Sequence, residues 1–481
     1  MSESEKTSSV TRQHGVRSLW SFPSLVALSS ILLTYFLIGG LYATRTPAWQ
    51  VPDEPAHYNY IRYLVEQRAF PILQPDDYDQ QYLSKLTSEG FPPSLPIDTI
   101  RYEGHQPPLY YLLATPLFVA VEGNLVILRL FSLVLGGGVI IFTYLLALEV
   151  FPGANVVALA AAGFLAFVPQ HVAMMAGVNN DSLAELLMAY GLWRTIRLLR
   201  GPSLGFGFWD LGFTLGLAFL TKTTIYPLAV VAAVALLFRA RREKWSARSL
   251  MAAGLIAFLP AFLLGALWWG RNLAVYGGLD ILGLQRHNAI VVGQPRTAEW
   301  IAQYGVRGYL GQFAVTTFQS FWGQFGWMGV VMDRRVYLAL LAYSLLLLIG
   351  LGGAIRELVI GNWRASPRQG DRLIILLITF LLAVALYLYY NLTFVQFQGR
   401  YLFPALPVIA LGASLSLNQW SRWLTSILPY AIRNIAKHPF GTQYVLRFTM
   451  WFPYLPLLPI VLMALLALFA LYRFILPALA V

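Results

Sequence analysis

Long apolar runs recur along the whole chain, and they restrict its fold more than any other feature of the sequence. Hydrophobic residues make up 58% of the 481 residues, whereas charged residues make up only 12%. A water-soluble domain carries about twice that share of charge, and roughly 20 apolar residues suffice for a helix to cross a bilayer. The pattern predicts an all-α integral membrane protein, a polytopic bundle of about 11 spans within a range of roughly 9 to 13.

The basic residues predict how these spans are oriented. Lys and Arg cluster in short segments between the apolar runs, and such clusters stay on the cytoplasmic side of a membrane. The net charge of +12 therefore reflects topology and does not indicate nucleic-acid binding. The chain has no cysteine, which excludes disulfides, thiolate nucleophiles and cysteine metal sites.

The same pattern divides the chain into segments. The region 19–420 is predicted to be the catalytic transmembrane domain, with one outer loop at 43–106 and a second long outer segment at 271–335. Helices are expected at the outer face near 54–67 and at 107–121, the latter too short to span and interrupted by Pro116. The remaining segments are a cytoplasmic tail, a basic cytoplasmic loop and a C-terminal span, at 1–18, 421–450 and 451–481.

Two adjacent carboxylates, Asp53 and Glu54, follow the first apolar run directly. Asp53 also fits the N-cap of a helix that begins at Glu54, but a cap accounts for only one of the two acids. A carboxylate pair can supply a general base together with a group that binds a metal or orients an acceptor. We therefore predict both as catalytic residues, with Asp53 as the base.

Counting positive charges also places five further ionisable residues at outer span ends. Each one alone fits a helix cap, a neutral loop residue or an anchor that reaches the interface. As a set facing the carboxylates, however, the cations would form a phosphate site. One histidine with scattered acids is only a weak metal signature, so a divalent ion held by Asp53, Glu54 and His105 stays open. The five residues are His105, Asp181, Lys222, Arg271 and Arg400.

Carboxylates and cations at the outer leaflet suit the transfer of a group from a phosphate to a hydroxyl. Nucleotide-activated donors are cytosolic, so a donor used outside must be delivered within the membrane. A polyprenyl-phosphate carrier has the charged head and the lipid tail that these features fit. The cations would stabilise the departing phosphate, and Asp53 would take the proton of the acceptor.

Short motifs at these positions resemble the GT-C class of membrane glycosyltransferases. That class includes protein O-mannosyltransferases and lipid A aminoarabinose transferases, and the chain is most similar to a bacterial branch of predicted membrane proteins. The resemblance extends from about residue 20 to 420, and the order of the motifs carries its specificity. The motifs are PDEPAH at 52–57, HQPPLYY at 105–111, NND at 179–181, WGRN at 269–272, FWGQFGW at 321–327 and GRYLFPALP at 399–407.

The resemblance implies an inverting transferase that uses a polyprenyl-phosphate sugar. It assigns Asp53 as the catalytic acid residue, Asp181 as a second acid in the cavity, and Lys222 with Arg400 as contacts of the lipid phosphate. Tyr401 follows Arg400 in its motif and is included among the substrate-binding residues. The implied location is a bacterial plasma membrane, with a cytoplasmic N-terminus and the active site outside. Members of the class often carry a C-terminal soluble domain for the acceptor, whereas this chain ends in a span, so the acceptor could be a glycan, a lipid or a protein.

Three alternatives remain at the level of sequence. A polymerase or ligase of lipid-linked glycans would share the donor and differ in the acceptor. A transporter or lipid flippase would use the same charges along a substrate path, but such proteins commonly show internal repeats, and none is evident. A structural membrane subunit would leave the carboxylate pair and the outer arginines without a role.

Overall fold

The computed structural model describes residues 22–200, 206–360, 367–435 and 452–479, and the architecture of these residues is α-helical with one short β-hairpin. The predicted tail 1–18 and half of the predicted loop 421–450, its residues 436–450, lie outside the described residues. The helices are α1 Phe22–Arg45, α2 Glu54–Gln67, α3 Gln80–Ser88, α4 Leu109–Ala120, α5 Leu125–Val150, α6 Asn155–Phe167, α7 Pro169–Met175, α8 Asp181–Leu198, α9 Phe206–Phe219, α10 Pro227–Arg242, α11 Ala247–Tyr276, α12 Leu284–Ile290, α13 Thr297–Trp322, α14 Arg334–Ile360, α15 Pro367–Tyr390, α16 Leu406–Ile435, α17 Leu458–Ala470 and α18 Leu476–Leu479.

Eight helical segments in the described part of the chain are long and apolar enough to cross a membrane. The count becomes nine if α6 and α7, which meet at a 66° bend, form one broken span. The all-α membrane fold is thus confirmed, whereas the expected count of 11 spans is not. The runs that became α8 and α9 make the difference. Helix α9 has 14 residues, which at 1.5 Å per residue reach only about 21 Å of the roughly 30 Å apolar layer.

Helix α5 lies at the centre of the bundle and packs against α1, α6 and α8. Three consecutive glycines of α5, at 136–138, allow the neighbouring helices to approach closely. A Cβ on Gly136 would collide with Tyr35, and a Cβ on Gly138 would collide with Leu186. Small residues at helix crossings bring backbones together in membrane proteins, so the triplet acts as the close-packing element that the sequence predicts.

The charged residues separate to the two ends of the bundle. At one end, which we call the arginine end, Glu149 pairs with Arg200 and Arg372, and Arg242 pairs with Asp371. Helix α8 begins at Asp181 and ends beside Arg200, so its first residue lies at the opposite end. We call that opposite end the carboxylate end. The grouping predicted from the loop charges is therefore present in the structure.

The carboxylate end is covered by the segments between the spans. Helix α2 has the predicted bounds, and the predicted helix at 107–121 is present as α4. Short 3-10 helices add to this cover, at Pro75–Asp77 and Tyr102–His105.

The segment 271–335 differs from a simple outer loop. Helix α13 contains Gly305 in a non-helical conformation and ends at Trp322, whose ring packs on Phe164 and Tyr343 inside the bundle. A hairpin of β1 Gln324–Phe325 and β2 Val330–Val331 follows it. The predicted basic loop 421–450 also differs from the expectation, because α16 continues to Ile435 and residues 421–435 are therefore helical. The proposed domain boundaries themselves stay a prediction.

Candidate active site

Asp53 lies at the start of α2 in a left-handed backbone conformation, with φ 67°. Such a conformation costs about 1–3 kcal/mol for a residue with a side chain and occurs mostly at functional sites. The carboxylate makes no capping hydrogen bond to its own helix. Instead its Oδ1 accepts from the Tyr102 hydroxyl at 2.7 Å, and its Oδ2 accepts from Arg400 Nη2 at 2.7 Å. The side chain is thus held for a purpose other than capping, and 27% of it stays exposed.

Arg400 reaches Asp53 from a 3-10 helix that spans Gly399–Ala405 and precedes α16. Gly399 lets this helix lie directly on α13, because a Cβ there would collide with the backbone of Thr317 and Phe321. The guanidinium donates from Nε to Gln398 Oε1 at 2.6 Å, and it lies 5.5 Å from the ring centre of Tyr401. The predicted residues Arg400 and Tyr401 are therefore both beside Asp53.

Asp181 and Lys222 form a second ion pair at the same end of the bundle. Lys222 Nζ donates to Asp181 Oδ1 at 2.7 Å, between the first residue of α8 and the turn that precedes α10. Asp181 does not act as a helix cap either, since the residue at the cap position is Asn180. Asp181 lies within electrostatic range of Arg400, so the two ion pairs share one site.

His57 and Glu103 both lie within electrostatic range of the two pairs. His57 is one helical turn after Asp53, and its Nδ1 is hydrogen-bonded to the Tyr111 hydroxyl at 2.8 Å. Burial lowers the pKa of His57, although Glu103 and Asp53 act in the opposite direction. Burial raises the pKa of Glu103, and the nearby charge of Asp53 adds to the rise. Glu103 therefore retains its proton to higher pH than an ordinary glutamate.

The pKa of Asp53 is shifted in the opposite direction to that of Glu103. Burial alone would raise the pKa of Asp53, but Arg400, His57 and the hydrogen bonds from Tyr102 and Arg400 outweigh burial and lower it. The carboxylate is therefore ionised in the free protein, and the adjacent cation weakens it as a base.

Glu54 faces away from this site and forms a buried ion pair with Arg129 of α5. Its Oε1 and Oε2 accept from Arg129 Nε at 2.7 Å and Nη2 at 2.6 Å. The same carboxylate accepts from the backbone N–H groups of Trp49 and Val178, both at 3.1 Å. Arg129 also donates to three backbone carbonyls at and just after the C-terminal end of α1, those of Ala43, Thr46 and Pro47. Glu54 thus ties α2 to three neighbouring segments.

His105 and Arg271 also lie apart from the two ion pairs. His105 Nδ1 donates to the Tyr102 carbonyl at 3.2 Å, and its ring centre lies 4.3 Å from that of His287. Arg271 donates to the Pro71 carbonyl and stacks over Trp268 at 4.6 Å. Both residues hold the first outer loop against the segment after α11. The structure therefore brings together Asp53, Asp181, Lys222, Arg400 and Tyr401, and it leaves out Glu54, His105 and Arg271.

The described residues include no group of three or more His, Asp or Glu side chains that could hold a metal ion. Among the three suggested ligands, Asp53 pairs with Arg400, Glu54 with Arg129, and His105 with a backbone carbonyl. These residues therefore do not converge on a common point, and whether the protein uses a metal stays a prediction.

Three neighbours of Asp53 were not among the predicted site residues: His57, Tyr102 and Glu103. His57 had a usable signal, because a residue four positions after Asp53 lies on the same helix face. Tyr102 and Glu103 had none beyond lying next to His105, since only the fold brings their loop onto α2.

Comparisons with known proteins agree with this architecture. Residues 105–269 match a family model described as dolichyl-phosphate-mannose-protein mannosyltransferase. The archaeal oligosaccharyltransferase from Archaeoglobus fulgidus, solved with a tethered acceptor peptide, superposes with a TM-score of 0.53 at 14% identity, over 93% of this chain and 55% of that one. The fold is that of the GT-C class. The chain spans little more than half the length of that oligosaccharyltransferase.

Other comparisons add detail to the GT-C assignment. A structure of the same archaeal enzyme, AglB, in complex with an inhibitory peptide and a dolichol-phosphate has a TM-score of 0.51 at 14% identity, over 93% of this chain and 56% of that one. ArnT from Cupriavidus metallidurans, bound to undecaprenyl phosphate, has a TM-score of 0.48 at 12% identity, over 95% of this chain and 73% of that one. No curated protein matches the chain in sequence.

Proposed function

We propose that this protein is an inverting glycosyltransferase that moves a sugar from a polyprenyl-phosphate donor to an acceptor hydroxyl at the outer face of the membrane. One observation carries the proposal. The Asp53–Arg400 pair lies next to the Asp181–Lys222 pair at one end of a membrane bundle. A carboxylate can accept a proton there while two cations receive a phosphate.

The donor class follows from the position of the cations. Arg binds phosphate through two parallel N–H groups and Lys binds it as a point charge, and Arg400 and Lys222 are both at span ends, where a lipid-borne phosphate would lie. The matched family model is described by a dolichyl-phosphate-mannose donor, and the archaeal enzyme was solved with a dolichol-phosphate. Both facts support a polyprenyl-phosphate donor for this chain.

In the proposed reaction the acceptor hydroxyl oxygen attacks the anomeric carbon of the donor. The bond from that carbon to the phosphate oxygen breaks, the hydroxyl proton passes to Asp53, and the polyprenyl phosphate leaves against Arg400 and Lys222. A single displacement inverts the configuration at the anomeric carbon.

The shared arginine couples donor binding to base strength. In the free protein Arg400 lowers the pKa of Asp53. A donor phosphate that draws the guanidinium toward itself reduces that effect, so the Asp53 carboxylate becomes a stronger base when the donor is bound.

The acceptor has a separate approach from the aqueous side. An open groove borders the site, with Tyr78 at its inner wall, and the Tyr78 ring packs edge-on against Tyr102 at 5.4 Å. Tyr102 in turn donates to Asp53. The groove is lined by residues 75–76, 78–82, 96, 99 and 292–293. An acceptor in it would reach Asp53 without crossing the apolar layer.

The proposal is tested by measuring release of polyprenyl phosphate from a panel of short-chain polyprenyl-phosphate sugars by the purified protein. We expect release from at least one donor, its loss in Asp53→Asn, and inverted configuration in the product. A parallel reaction with chelator shows whether a divalent metal takes part. Folded protein that releases nothing in the presence of glycan, lipid and peptide acceptors would contradict the proposal, and a lipid-translocation assay in liposomes would then test the transport alternative.

A further inference from the structure

Glu103 has a buried carboxylate oxygen that nothing in the described part of the chain satisfies. Its Oε2 has no hydrogen-bond partner. Two other buried carboxylate oxygens also lack a hydrogen bond, those of Asp77 and Glu149, but each faces an arginine in an ion pair. Glu103 forms no ion pair with any described residue. An unsatisfied buried acceptor is costly, so this oxygen requires an explanation.

Asn180 presents a second buried acceptor in the same neighbourhood. Its side chain is fully buried, and its Oδ1 has no partner among the described residues. Its Nδ2 donates to Gln106 Oε1 and to the Thr221 carbonyl, both at 3.4 Å. Both of those partners are acceptors, so the amide orientation is fixed and the free atom is the oxygen. Gln106 also lies close to the Glu103 side chain, which places the two unsatisfied oxygens near one glutamine.

The two oxygens lie where the reacting part of a donor would be. Glu103 is within electrostatic range of Asp53, His57 and Lys222. Asn180 immediately precedes Asp181, which pairs with Lys222. The proposed base and a proposed phosphate-binding cation are therefore both near these oxygens. In a polyprenyl-phosphate sugar, the group between the phosphate and the attacking hydroxyl is the sugar ring.

We propose that Glu103 and Asn180 form the subsite that accepts hydrogen bonds from the hydroxyl groups of the transferred sugar. This inference rests on the proposed function and adds the chemical class of the sugar. Both free atoms are acceptors, so they match a ring that offers O–H or N–H donors. A sugar carboxylate placed against these two oxygens would find no hydrogen-bond donor there, so the subsite favours a neutral or an amino sugar.

The test combines one protein variant with a series of deoxy sugars. Glu103→Gln keeps the shape of the side chain but can present an N–H group where the carboxylate oxygen was. Sites built to bind a substrate hydroxyl discriminate strongly against analogues that lack it, and a hydrogen bond to a charged group is worth about tenfold to a hundredfold in kcat/KM. We expect Glu103→Gln to lower kcat/KM by that factor for the donor with the complete sugar. For the one deoxy donor that lacks the bound hydroxyl, kcat/KM should be almost unchanged.

Selectivity between donors is the decisive readout, since a purely structural role would lower release from every donor equally. Equal losses across the deoxy series, with wild-type release intact, would overturn the subsite and leave the transferase standing. Absence of release from every donor by the wild type would overturn the transferase itself. Glu89→Gln is the matched control, because Glu89 is an exposed carboxylate of the same loop that does not line the groove, and it should leave the order of donor preference unchanged.

Discussion

Replacing Glu54 with alanine tests whether this residue supports the fold or the chemistry. In the structure Glu54 is fully buried and Arg129 is 2% exposed, and their ion pair joins α2 to α5. The substitution removes the only side-chain counter-charge that the structure gives to Arg129 within the described residues. It also removes the acceptor for the backbone N–H groups of Trp49 and Val178.

The expected loss of stability follows from these contacts. Breaking a buried ion pair by removing one partner costs about 3–5 kcal/mol, because the remaining charge stays buried without compensation. Two buried N–H groups left without acceptors add a further destabilisation of about 1–3 kcal/mol each if water does not reach them. We therefore expect a loss of at least about 3 kcal/mol.

Thermal unfolding of the purified protein, followed by intrinsic fluorescence of its 14 tryptophans, measures this loss without a thiol dye, which a chain without cysteine could not bind. The matched control is Glu357→Ala, which breaks an ion pair with Arg422 whose side chains are 48% and 53% exposed. Exposed pairs contribute only about 0–1 kcal/mol. If Glu54→Ala unfolds at the same temperature as Glu357→Ala, the structural role assigned to Glu54 is refuted.

Three further predictions concern the site and its surroundings. Gly399→Ala should displace the 3-10 helix that carries Arg400, because the added Cβ would meet the Thr317 backbone. A misplacement of about 1 Å can slow turnover about a hundredfold. An unchanged rate of polyprenyl phosphate release would contradict the close packing of Gly399 on α13. Burial and the nearby His287 lower the pKa of His105, and burial lowers the pKa of His287. As pH falls, the unfolded chain therefore takes up protons at these two histidines before the folded protein does. The free energy of unfolding should decrease as pH drops below about 6.5. His287→Gln should reduce that slope by about one proton, and an unaltered slope measured by unfolding at several pH values would contradict it. Lys222→Met should raise KM for the donor more than KM for the acceptor. Equal donor KM values in the wild type and the variant would contradict the assignment of Lys222 to the phosphate site.

Charge position in the sequence predicted much of the site. Asp53, Asp181, Lys222 and Arg400 all follow or precede apolar runs, and helices of similar length carry such residues to the same end of a bundle. Sidedness therefore predicts which residues meet, even though the residues are as much as 347 positions apart.

The interpretation of Glu54 shows where this reasoning stops. Sequence proximity grouped it with Asp53, but successive helix residues point in different directions, and Glu54 turns to Arg129. The sequence did contain a signal, because Arg129 lies inside the apolar run of α5 and an arginine there needs a buried partner. Nothing in the sequence could identify which carboxylate that partner would be.

The count of spans was limited by a different cause. Hydropathy marks apolar runs, but it does not show how the helices lie. Helix α9 packs closely on α11, and α6 breaks from α7 at 66°. Packing against neighbouring helices can therefore bury the apolar surface of a helix that is too short or too bent to cross a bilayer by itself. An apolar run in the sequence need not correspond to one complete span.

The most direct test of the central claim is single-turnover release of polyprenyl phosphate from the donor that the panel identifies, compared between Asp53→Asn and Glu89→Gln. Both substitutions remove one carboxylate from the first outer loop, but only Asp53 contacts Arg400. Loss of a general base costs about a hundredfold to ten-thousandfold. We predict a loss of that size for Asp53→Asn with folding intact and wild-type release for Glu89→Gln, whereas wild-type release by Asp53→Asn would contradict the assignment of Asp53 as the base.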